Sequence, residues 1–100
     1  MATIKIDEHG VATVTMSNGK ILPVPPFVAI TIGAGACPEV ITMADGGEWW
    51  ITRYRREMID DLAHDLRDGE TFTAHDGATW ARYGDEMLVV TAGRQLQAAA

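Results

Sequence analysis

The sequence predicts an α+β domain: an antiparallel sheet of six or more strands built from hairpins, packed by one amphipathic helix near residues 53–68. Three observations carry this. Short runs rich in Val, Ile and Thr recur along the chain, separated by glycine-containing turns. Tyr54, Met58, Leu62 and Leu66 recur every four residues, with Ile51, Ile59 and Ala63 beside them, which is the period of a helix with one greasy side. After that stretch the strand-and-turn pattern resumes as a three-stranded meander.

Residues Thr3 to Asp7 and Val11 to Met16 read as strands around the turn Glu8-His9-Gly10. Ser17-Asn18-Gly19-Lys20 holds an Asn-Gly pair, a strong hairpin signal. Lys20 to Val24 returns as a short strand broken by Pro23, and Pro25-Pro26 marks a crossing or a sheet edge, because proline cannot donate to a ladder. Phe27 to Ile32 reads as a buried strand and Gly33-Ala34-Gly35-Ala36 as a loop of small residues. Glu39 to Met43 is a further strand, followed by the turn Ala44-Asp45-Gly46-Gly47.

Glu48 to Tyr54 admits two readings. Trp49, Trp50, Ile51, Thr52 and Tyr54 all favour strand. Asp45 with Glu48 three residues on has the pattern of a capping box, which would start the helix early. Two glycines in that first turn oppose it at about 1 kcal/mol each. The spacing therefore predicts a strand through Thr52, a helix from Arg53 or Tyr54, and Gly69 as its left-handed cap. Glu70 to His75, Ala78 to Tyr83 and Glu86 to Ala92 then read as strands joined at Asp76-Gly77 and Gly84-Asp85. Residues 1–96 form one domain on this reading, and 97–100 an alanine-rich frayed tail.

Length and composition agree with a single core: 100 residues, 47% apolar and 22% charged. The formal net charge is −6, and residues 45–70 hold eight acids against four arginines, so −4 of the −6 falls there. Such a chain repels phosphate backbones and attracts basic surfaces. The lone Cys37 excludes an internal disulfide, the N-terminus has no signal-peptide pattern, and the apolar run Phe27–Ile32 is too short to span a bilayer. The cytoplasm of the producing or host cell is the expected location.

The candidate chemistry is thin. Cys37 before Pro38 could sit at a helix N-terminus, where a thiolate is stabilised, but no nucleophile signature surrounds it. Gly33-Ala34-Gly35 lacks the third glycine of a dinucleotide fingerprint and the lysine of a triphosphate loop. Asp60, His64 and Asp68 share helical spacing, yet a transition metal needs three or four convergent ligands. The aspartates lack the alternation of a calcium loop. No acid pair can be set on opposed walls of a cleft. Trp49, Trp50, Arg53, Tyr54, Arg55 and Arg56 form one aromatic-basic cluster, the composition of a single-strand binding surface or of a protein hot spot.

The expected function is therefore non-enzymatic, with no cofactor and no metal. An acidic helix face of Glu57, Asp60, Asp61, Asp65 and Asp68 would meet a partner protein with a basic surface, and Trp49 with Arg53 forms a second candidate patch. In size, acidity and lack of catalytic motifs the chain resembles phage or mobile-element inhibitors of nucleic-acid-binding host machinery, such as anti-CRISPR proteins. The resemblance implies a basic nucleic-acid-binding host protein as partner. Two alternatives stand beside it: a structural or assembly subunit, for example of a virion, pairing through exposed strand edges as a homodimer or larger array, and single-stranded nucleic-acid binding through the Trp/Arg cluster.

Overall fold

Residues 2–33, 39–55, 66–74 and 76–91 are described by the computed structural model. They form nine strands: β1 (Thr3–Ile6), β2 (Ala12–Thr15), β3 (Ile21–Pro23), β4 (Phe27–Thr31), β5 (Glu39–Met43), β6 (Glu48–Arg53), β7 (Thr71–Thr73), β8 (Thr79–Tyr83) and β9 (Glu86–Thr91). Every pairing is antiparallel. β1-β2-β3 make a small sheet, and β4-β5-β6-β9-β8-β7 make a second, six-stranded one. The larger sheet is two meanders joined where β6 meets β9.

This corrects the expected α+β class. Among the described residues the fold is all-β, in two sheets, with no helix. Arg53, the expected helix start, is the last residue of β6 and lies opposite Glu86. Tyr54 N–H then donates to the Asp85 carbonyl, so the chain keeps following its neighbour strand. At the other end Leu66 N–H donates to the Tyr54 hydroxyl, and Arg67 to Glu70 make a tight turn. Gly69 is left-handed (φ +85°), but in that turn and not as a helix cap. The middle of the expected helix, residues 56–65, lies outside the described residues. Apolar spacing marked Tyr54 and Leu66 for burial, and both join one cluster; burial alone does not dictate backbone form. The capping-box pattern resolves likewise: Asp45 accepts from Gly47 N–H at 2.8 Å inside a β-turn.

The core lies between the sheets. Ala12, Val14 and Met16 alternate along β2 and its end, and with Val24 they meet Ile41, Met43, Ile51 and Leu88 of the larger sheet. Each such aliphatic side chain contributes about 1.5–3 kcal/mol on burial.

A polar junction ties the sheets at one end. The nearly buried Glu86 carboxylate accepts from Ser17 N–H at 2.8 Å and from Ala2 N–H. The Ser17 hydroxyl donates to the Tyr83 carbonyl at 2.9 Å and accepts from Asp85 N–H at 3.1 Å. Gly84 sits in this junction at φ +66°, and a Cβ there would lie 2.5 Å from Ser17 Oγ. Only glycine meets both conditions, because a side chain would be strained and would also collide.

Candidate functional site

Strand alternation gives the six-stranded sheet two unlike faces. Ile51 is 2% exposed and turns to the small sheet, so its neighbour Trp50 points the other way. On that outer face the registers place one residue from each strand in a single row: Thr31, Val40, Trp50, Val89, Trp80 and Phe72. Cross-strand neighbours of this kind touch, and aromatic pairs gain beyond their buried area. Trp50 is 39% exposed, and its indole N–H donates to Glu48 Oε1 at 3.1 Å.

One end of the outer face is capped by Tyr54 and Leu66, packed with Met87, Phe72, Trp80 and Val89. Arg82 rises from the same face and closes the arrangement. Its guanidinium lies over the Tyr54 ring, 4.3 Å from the centroid, while Nη1 donates to the Leu66 carbonyl at 2.7 Å. With the Leu66 N–H to Tyr54 hydroxyl bond of 3.1 Å, this forms a neck where the chain leaves the sheet and returns.

The expected site residues fall in different places. Glu57, Asp60, Asp61 and Asp65 lie outside the described residues. Asp68 is exposed, but its Oδ1 accepts from Gly84 N–H at 2.7 Å and from Asn18 Nδ2 at 2.8 Å. Those bonds give Asp68 a structural role at the sheet junction. Trp49 is half-buried against the main core, and the exposed member of the pair is Trp50. Arg53 is exposed and on the opposite face from Trp50. The aromatic-basic cluster is thus split by the pleat into two sides of the sheet.

Cys37, His64 and His75 also lie outside the described residues. His9 is on the surface with Glu8 3.6 Å away. Among the described residues no three His, Cys, Asp or Glu side chains converge as metal ligands. Among the described residues the one perturbed acid is Asp85, exposed in the β8–β9 turn. The Ser17 hydroxyl beside it, helped by its own backbone N–H and by Arg53, holds its carboxyl below the ordinary 3.8.

Sequence reasoning missed the outer row and Arg82. The alternation of β6 about Ile51 was a usable signal for Trp50. Nothing local marks Arg82, because its partners Tyr54 and Leu66 are brought to it only by folding.

No family model matches the chain, and no curated protein or solved structure matches it.

Proposed function

We propose that this chain is a small non-enzymatic interaction protein that binds a basic surface on a partner protein. One observation carries the reading. The Leu66 N–H donates to the Tyr54 hydroxyl at 3.1 Å, so the two residues that flank the stretch 56–65 lie side by side on the sheet. Four acids and one arginine lie in that stretch, which holds −3 of the net −6. Half of the formal net charge therefore belongs to a stretch whose two flanking residues are bonded to each other. A field of that sign steers a basic partner and raises its on-rate more than its affinity. The exposed Trp50 and the aromatic row behind it supply the rigid apolar area that interfaces use as anchors.

The partner that fits best is a nucleic-acid-binding host protein, since its own binding groove is basic. An inhibitor of phage or mobile-element origin, of the anti-CRISPR kind and acting in the cytoplasm, is the biological form of this reading. It is supported by size and charge. The split of Trp49 and Trp50 between two faces favours a protein partner over single-stranded nucleic acid, because bases need a shared stacking platform.

Capture from host lysate tests the proposal. Asp60→Lys, Asp61→Lys and Asp65→Lys together should lower recovery of the partner by roughly tenfold or more, and raised salt should weaken the wild-type complex. A captured partner that ignores both the triple change and the salt would sink the proposal.

A further inference from the structure

We infer that β4 is a self-association edge, through which two copies of this chain pair antiparallel about a two-fold axis at Ile30. Four strands end the two sheets: β1, β3, β4 and β7. Exposed edges invite foreign pairing and are blunted by short length, charge, proline or a β-bulge, and the bulge of β4 affects only its first two residues. β1 has four residues and carries Lys5. β3 has three residues and ends on Pro23. β7 has three residues and follows Glu70. β4 has five residues, Phe-Val-Ala-Ile-Thr, with neither charge nor proline inside it.

Among the described residues only β5 pairs with β4, so its other side offers unpaired N–H and C=O groups. The bulge between Phe27 and Ala29 bends the start of the strand and leaves Val28 as the extra residue.

The charge distribution selects a second copy as the occupant. Each copy carries −6, which opposes self-association over most of the surface. From Ile21 to Pro38 there is no charged residue at all, and β4 lies inside that run. Two copies can therefore meet here without bringing local like charges together. The exposed side chains agree with a two-fold at Ile30. Ile32 and Val28 are the most exposed large hydrophobics among the described residues, at 68% and 67%. In a pair centred on Ile30, Val28 at the bulge and Ile32 just past the end of β4 flank the regular pairing of Ala29 to Thr31, so Val28 of one copy comes near Ile32 of the other at each end. Each then shelters the other, and the interface is isologous. The result is a twelve-stranded sheet made of two six-stranded halves. An edge contact of this length sits at the small end of specific interfaces, so the dimer is weak and reversible.

Sedimentation equilibrium from about 10 μM to about 1 mM chain tests this, the range in which weak complexes of this size dissociate. The wild-type mass should rise from one chain towards two, and the rise should strengthen with salt as the overall repulsion is screened. That salt response is opposite in sign to the one expected for binding a basic partner, so failure of either proposal can be told from failure of the other. V28K/I32K sets like charges opposite each other at both ends and should weaken the dimer at least about tenfold. V28K/I32E sets opposite charges there and should recover most of the association. Strand signal in circular dichroism checks that both variants fold. A wild type that stays monomeric throughout overturns the inference, as does a folded V28K/I32K that dimerises like wild type. Equal behaviour of folded V28K/I32K and V28K/I32E overturns the two-fold register.

Discussion

The two faces of the six-stranded sheet are built from alternate residues of the same strands, yet they meet different surroundings. On the inner face Ile41, Ile51 and Leu88 are 0%, 2% and 5% exposed, closed off by Val14 and Met16 of the small sheet. On the outer face the residues of the row from Val40 through Trp50, Val89 and Trp80 to Phe72 are each only partly buried, and Trp50 is the most open. The inner face is aliphatic and the outer row largely aromatic. Aliphatic side chains fill a closed space densely. Of that outer row, Phe72, Trp80 and Val89 pack against the buried Leu66 and Met87, and Trp50 alone is exposed. The inner face thus holds the larger core, while the outer face holds a smaller one around Met87 and Leu66 at one end and leaves Trp50 open.

Substitutions should separate the two faces. The largest effect is expected from Ile41→Ala, which opens a cavity between the sheets and should cost about 2–5 kcal/mol, read as a lower urea midpoint. A domain of this size has a total margin of roughly 5–15 kcal/mol, so the variant should be only marginally folded. Trp50→Ala on the next residue pair should behave otherwise. Its side chain leaves no enclosed void, and the cost should be about 1 kcal/mol or less, while partner capture falls. A loss of several kcal/mol at Trp50 would erase the distinction between the faces.

The smallest effect concerns the sheet junction. Asp85 has a depressed carboxyl pKa, first through the Ser17 hydroxyl. A depressed carboxylate adds stability that is present above its unfolded value of 3.8 and is lost as pH falls through the lower folded value. Ser17→Ala should move the Asp85 titration up towards 3.8, followed by carbon-detected NMR. The stability curve should change only in the acid range below that value. An unmoved titration would show that Ser17 is not the cause.

The nine strand segments read from the sequence coincide with β1 to β9 to within a residue or two at each end. The turns between them were equally legible, because Asn18-Gly19, Asp45-Gly46 and Asp76-Gly77 carry their own chemistry. The Asp side chains accept local backbone N–H groups, as Asp76 does from Ala78 at 2.9 Å. The α+β class was the wrong inference: among the described residues there is no helix, and of the expected span 53–68 the ends are strand and turn while 56–65 lie outside the described residues. The evidence for a helix was a period of four in apolar residues, and Tyr54 and Leu66 do reach one cluster. They reach it from the end of a strand and the start of a turn, joined by a side-chain hydrogen bond that no spacing rule encodes. Trp49 of the second candidate patch lies half-buried against the main core by parity: with Ile51 in the core, Trp49 shares its face.

Local chemistry was sufficient for where strands begin, where they turn and how much acid the chain carries between Tyr54 and Leu66. β-Branched residues, glycines and prolines act over one or two residues, and charge is a plain count. Tertiary structure alone decided that β1 to β3 leave the main sheet, that β6 lies beside β9, and which strand is left with a bare edge. Those outcomes depend on pairings between residues tens of positions apart, whose free energy comes from burying one face against another and is written in no single segment.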